Sequence, residues 1–85
     1  MFFIYILKSE KDRNLYIGYT NNLRKRLKEH NLGLVNPTKS RRPLYLVYYE
    51  AYISKQDATK REHNLKLRAK ALRQLKNRLK FSLKA

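Results

Sequence analysis

The stretch Leu15-Tyr16-Ile17-Gly18-Tyr19-Thr20-Asn21-Asn22-Leu23 changes character in its middle. Its first five residues are rich in aromatic and β-branched side chains and read as a strand. Thr20, Asn21 and Asn22 are then three successive good helix N-cap residues. Leu23 and Leu27 follow four apart on one helical face, with Arg24, Lys25 and Lys28 on the outside. A strand feeding directly into a helix therefore organises the chain. Upstream, Met1–Lys8 reads as another strand, carrying Phe2, Phe3, Ile4, Tyr5 and Ile6, and the polar run Ser9–Asn14 reads as a turn. Together they predict an antiparallel hairpin. Pairing Lys8 with Arg13 would set Tyr5 opposite Tyr16, so that two phenols share a sheet face.

Downstream, Asn31–Gly33 stops the helix, with Gly33 expected in the left-handed position past its end. A basic loop follows, Asn36-Pro37-Thr38-Lys39-Ser40-Arg41-Arg42-Pro43. Leu44–Tyr52 then alternates as a third strand, with Leu46, Tyr48 and Glu50 on one face and Tyr45, Val47, Tyr49 and Ala51 on the other. Ser54-Lys55-Gln56-Asp57 has the form of a capping box and opens a second helix, whose Ala58, Leu65, Ala69, Leu72, Leu75 and Leu79 recur at helical spacing. From Lys66 onward a solvated helix end, a separate short helix and a partly disordered basic tail all remain open. The order strand, strand, helix, strand, helix implies an α+β fold: a small three-stranded antiparallel sheet flanked by helices, with a basic C-terminal helix.

Composition bounds the function. A chain of 85 residues is one domain with a small core. Without cysteine there are no disulfides, thiolate zinc sites or cysteine nucleophiles. The longest apolar run, Phe2–Leu7, is too short for a membrane span or a signal-peptide core, so a soluble, cytoplasmic protein is expected. Lys and Arg number 21 against 6 Asp and Glu, a net charge of +15. No fold needs that excess; it points to a polyanionic partner, nucleic acid before membrane. Residues 60–85 hold ten of the basic side chains and one acid, Glu62.

Glu62 lies on the apolar stripe of the second helix, where a carboxylate is costly unless paired or bound to a metal. Taken alone, a salt bridge or a tilt toward solvent accounts for it. Arg26 and His30 stand one turn apart beside the Leu23/Leu27 stripe; singly, they read as a solvated arginine and a helix-end charge. Tyr5 and Tyr16 are, singly, ordinary strand aromatics.

Jointly, Tyr5, Tyr16-Ile17-Gly18, Arg26, His30 and Glu62 resemble the GIY-YIG nuclease family in identity, order and spacing. The surrounding segments Phe3-Ile4-Tyr5-Ile6-Leu7, Tyr16–Leu23, Thr38–Pro43 and Leu46-Val47-Tyr48-Tyr49-Glu50 are similar to its small stand-alone members, which resemble the N-terminal domain of the excinuclease C subunit. The likeness covers about residues 2–66. It makes 1–66 the nuclease-like domain and 67–85 a basic helical extension of it. Phe3 stands where the first motif has glycine, and an asparagine of longer relatives has no convincing counterpart beyond Asn64 or Asn77.

The resemblance implies an endonuclease that hydrolyses phosphodiester bonds, with a single divalent ion, magnesium or manganese, held by Glu62. Arg26 would pair with the scissile phosphate, because a planar guanidinium suits it. Tyr5 or Tyr16 would polarise or deprotonate the attacking water, with its pKa lowered by Arg26, His30 and the cation. His30 would be a tyrosine's partner, a proton acceptor or a helix-end charge. Gly18, Thr38, Lys39, Ser40, Arg41, Arg42, Lys66 and Arg68 are candidate nucleic-acid contacts, with the loop hydroxyls and cations clamping phosphates. No side-chain set resembles a base-edge reader, so little sequence specificity is expected. DNA is the expected substrate ahead of RNA, in a bacterial, DNA-repair-like setting, with a monomer or weak homodimer as the working form. A non-catalytic nucleic-acid-binding module and a small ribosome-associated protein are the competing readings.

Overall fold

The computed structural model describes Met1–Lys84. Strand β1 (Phe2–Ser9) is the centre of a three-stranded antiparallel sheet, flanked by β2 (Leu15–Thr20) and β3 (Leu44–Tyr52). Helix α1 (Leu23–Asn31) follows β2, and a 3-10 segment, Asn36–Arg41, leads into β3. Helices α2 (Lys55–Leu67) and α3 (Ala69–Arg78) and a 3-10 turn at Ser82–Lys84 complete the chain. Burial on both faces explains why β1 is nearly continuous in aromatic and branched residues. Ile4 and Ile6 pack with Ala58, Leu65 and Leu75 of α2 and α3, whereas Tyr5 and Leu7 pack with Leu44, Leu23 and Leu27 toward α1.

Local signals operate where they were read. The Asn22 side chain accepts from the Lys25 amide and caps α1, Ser54 caps α2, and Gly33 takes φ +79° past the end of α1. The hairpin register differs by two residues from the expected one. Tyr5 pairs with Gly18, and Tyr16 with Leu7, so the phenols are diagonal neighbours rather than opposed. An even shift preserves the face, so both still project toward α1. The longer loop that results includes Arg13 at φ 61°.

The alternation expected for β3 is corrected by a bulge. Ile6 pairs with Tyr48 but Leu7 with Leu46, which leaves Val47 as an extra residue. One added residue reverses the pleat. Leu46 therefore packs with Tyr5 and Leu7, while Tyr48 and Glu50 face the opposite layer.

The second helix is also broken. Arg68, at φ −115° and ψ 103°, is extended and separates α2 from α3, so the periodic stripe does not run through. Ala69 is exposed, and Ala71 packs on the core in its place. Leu75 is 2% exposed and belongs to the same core as Ile4 and Leu65, which ties α3 to the sheet. The Lys8 ammonium donates to the Leu83 carbonyl and ties the Ser82–Lys84 turn to β1.

Candidate active site

Three of the singled-out residues meet on the α1 face of the sheet. The Tyr5 hydroxyl lies 2.8 Å from His30 Nε2, and His30 Nδ1 lies 2.7 Å from Thr38 Oγ1. Tyr5 is 2% exposed, and His30 and Thr38 are 0% exposed. The Tyr16 ring meets the imidazole edge-on at 5.1 Å between centroids, 66° between planes. The buried imidazole is thus fixed on both nitrogens and against two phenol rings.

Gly18 explains how Tyr5 reaches it. A Cβ at position 18 would overlap the Tyr5 ring and hydroxyl. The glycine is thus a clearance for the phenol rather than a surface for nucleic acid, and it is itself buried.

Burial sets the protonation states. It pushes the Tyr5 phenol up to about 12, the neighbouring Arg26 guanidinium pulling the other way without prevailing. The same desolvation, with Arg26 beside it, brings His30 down to about 4. At neutral pH the pair is Tyr–OH against neutral imidazole. Arg26 by itself does not bring about the lowering expected from Arg26, His30 and a divalent ion together, because removal of Tyr5 from water outweighs the guanidinium. His30 is likewise no helix-end charge, since it is neutral and inside the protein.

Arg26 is half-buried beside Tyr5 and bonds Glu29 at 3.3 Å. Glu29 was not among the sequence candidates; its place one turn after Arg26 is the signal that could have raised it. Glu62 comes from the far layer on α2, close enough for its charge to act on Tyr5. Its side chain is 22% exposed and binds Lys66 Nζ at 3.1 Å, one turn on. That ammonium also stands 6.0 Å from the Tyr16 ring centre. The carboxylate is therefore not in the core, and its pairing cation is Lys66.

The candidate phosphate contacts divide. Thr38 is sealed behind His30, so its hydroxyl is unavailable to a phosphate. Arg41 is engaged by Asp12 at 2.6 and 3.3 Å and brackets the hairpin turn; its guanidinium holds the Asp12 carboxyl down at about 2. Arg42 donates to the Lys39 carbonyl at 2.9 Å. Lys39, Ser40 and Arg42 line a surface notch with Lys11, Asn31 and Pro43, apart from the tyrosines. The loop reaches the active-site cluster through Thr38 alone among those loop candidates. Arg68 is exposed at the break between α2 and α3.

Glu62 fits a divalent cation by its chemistry. Magnesium is commonly held by one or two carboxylates with waters and substrate phosphates, and Lys66 already places a positive charge on this carboxylate. Among the described residues, no cluster of three or more His, Cys, Asp or Glu could form an all-protein cage. A phenol, a neutral imidazole, an arginine and, within electrostatic reach, a lone carboxylate accord with the motif order of the sequence.

The family model described as "GIY-YIG catalytic domain" matches residues 1–80. The chain belongs to the GIY-YIG domain family. It is 48% identical to a UPF0213 protein of Clostridium perfringens over 78% of this chain and 71% of that one. It is 44% identical to a UPF0213 protein of Staphylococcus aureus, over 89% and 95%. The solution NMR structure of a UPF0213 protein from Bacillus halodurans matches with TM-score 0.55 and 35% identity, covering 88% of this chain and 82% of the other. The small GIY-YIG fold, an α+β arrangement on a three-stranded antiparallel sheet, is thereby shown. Its domain is typically a nuclease, which implies nucleic acid as partner and generally a divalent ion as cofactor.

Proposed function

We propose that this chain is a metal-dependent endonuclease that hydrolyses phosphodiester bonds in nucleic acid, DNA ahead of RNA, with little sequence preference. The observation that carries the reading is the convergence of Tyr5 from β1, Arg26 and His30 from α1, and Glu62 from α2. A domain that only binds has no use for a buried phenol–imidazole bond beside an arginine.

Arg26 binds a non-bridging oxygen of the scissile phosphate, keeping one nitrogen on Glu29 and offering its remaining donors. Tyr5, protonated at neutral pH, is held to His30 Nε2, with His30 Nδ1 against Thr38. That chain of contacts fixes the phenol oxygen and provides an acceptor for its proton. Tyr16, on the same face and nearer the surface, is the phenol better placed to touch the attacking water. Glu62, now paired with Lys66, would hold the divalent ion, magnesium or manganese, which when bound would neutralise phosphate charge and stabilise the leaving oxygen. Lys66 is then free to take a flanking phosphate, and Lys39, Ser40, Arg42 and Arg68 add salt-sensitive affinity.

This reading carries with it a cytoplasmic, nucleoid-associated protein acting in DNA repair or recombination, as a monomer or weak homodimer. The alternative, a binding module that retains the fold, is favoured by the pairing of Glu62 with Lys66 in the free protein. The deciding experiment is cleavage of labelled duplex, single-stranded and branched DNA and matching RNA, with magnesium, manganese or chelator, beside Glu62→Gln. Products that require metal and vanish in the variant support the nuclease. Binding without cutting on every substrate supports the module.

A further inference from the structure

Lys66 is turned toward two places at once. Its ammonium lies 3.1 Å from Glu62 Oε2, one helical turn back on α2, and 6.0 Å from the centre of the Tyr16 ring on β2. It also lines a groove of about 430 Å³ between β2 and the α2–α3 pair, together with Arg13 and Lys76. Among the described residues that lining holds three cations and no acid, and Glu62 is not part of it. Nor, among the described residues, does Glu62 form an ion pair with any cation but Lys66. A pair at this spacing on an open helix face adds little to helix stability, so the fold does not require it.

We propose that Lys66 is a phosphate-operated gate on the Glu62 carboxylate: it neutralises Glu62 in the free protein, and a phosphate entering the groove draws it away and opens the carboxylate to a divalent cation. The inference deepens the nuclease reading, from which it takes Glu62 as the carboxylate that holds the metal. A carboxylate already carrying an ammonium offers a divalent ion less net charge and one oxygen fewer, and magnesium gives up its waters reluctantly. A phosphate reverses that balance, because the groove gathers cations at one place and forms charge-assisted bonds with an anion. Lys66 can serve either partner, since its stem is flexible and its ammonium donates in several directions. Linkage makes the effect reciprocal: the factor by which phosphate raises metal affinity is the factor by which metal raises phosphate affinity. The carboxylate is thus opened by the nucleic acid rather than ahead of it.

The test is a magnesium titration of the isotope-labelled protein, followed by NMR through the Glu62 amide. It is run on the protein alone and then with a thymidine hexanucleotide whose phosphorothioate linkages resist hydrolysis. In the free protein Lys66→Gln should bind magnesium about tenfold tighter than wild type, and Lys66→Arg should restore the wild-type affinity within about twofold. Lys70→Gln removes the same charge at an exposed position outside the groove and should change the affinity less than about twofold. With the hexanucleotide bound, the gap between wild type and Lys66→Gln should close to within about twofold. Lys66 is exposed, so these substitutions leave the core untouched. Equal magnesium affinity in wild type and Lys66→Gln, an equal gain in Lys70→Gln, or a gap that persists on the hexanucleotide overturns the proposal. Cleavage does not enter the readout. The expected affinities in a protein that cuts no substrate would keep the gate and sink the nuclease, whereas metal-dependent cutting with no gap between wild type and Lys66→Gln would do the reverse.

Discussion

Each face of the sheet carries a tyrosine network, and the two are built to opposite rules. Toward α1, Tyr5, His30 and Thr38 form a neutral chain, with Arg26 beside it at the protein edge. Toward α2, Glu50 accepts from Arg61 at 3.0 and 3.1 Å, from Tyr48 at 2.6 Å, and from Tyr52. Burial acts against the Glu50 charge, but Arg61 and the two phenols hold its carboxyl below the ordinary range; burial followed by Glu50 pushes both phenols up to about 12. That second network is closed, with four donor contacts converging on one carboxylate. It clamps α2 to β3, and through α2 it fixes where Glu62 stands. The first network is open toward Arg26 and Tyr16. Closure suits a fastener, and an unspent donor set suits chemistry.

The largest effect that would sharpen this contrast is on rate. Glu62→Gln should reduce metal-dependent cleavage at least about a thousandfold, equal to about 4 kcal/mol of barrier, in a single-turnover assay. Its urea midpoint should barely move, since a half-exposed ion pair one helical turn apart contributes about 0.3–0.5 kcal/mol. Glu50→Gln should do the converse, costing about 3 kcal/mol in urea unfolding by leaving Arg61 without its partner. Equal stability losses in the two variants would erase the distinction between a fastener and a site.

Gly18→Ala tests the open network more finely. The added methyl must displace the Tyr5 ring, so cleavage should fall sharply with a stability loss of about 1–3 kcal/mol. Full activity in that variant would remove the Tyr5–His30 bond from the mechanism.

The smallest expected effect is on pH dependence. His30 titrates at about 4 in the folded protein, below its ordinary 6.5, so the unfolded chain takes the proton first. Its contribution to stability is full above pH 6.5 and declines as pH falls through about 4. Thermal unfolding should record that decline, and His30→Gln should remove the His30 part of it. A slope unchanged in the variant would mean that the imidazole is not neutral in the fold.

Much of this was legible in the chain. Asn22, Gly33 and Ser54 signal their caps because capping is decided within three or four residues. The α+β order, the hairpin and the nucleic-acid character of the charge follow from local pattern and composition. The ordered set Tyr5, Tyr16, Arg26, His30 and Glu62 identified the family because motif spacing survives in the linear text. In the sequence Thr38 and Gly18 read as nucleic-acid contacts, since a small or hydroxyl residue in a motif does not declare which neighbour it serves.

What only the tertiary structure decided shares one physical cause. The two-residue register, the bulge at Val47 and the break at Arg68 depend on partners distant in sequence, whose packing selects among locally equivalent alternatives. Protonation follows the same rule. Tyr5 and His30 have ordinary pKa values as residues, and only their enclosure between α1 and the sheet shifts them to about 12 and about 4. The sequence by itself determined which chemical groups are present and in what order. Burial, which no linear spacing encodes, determined which are charged, which are covered and which remain open to a substrate.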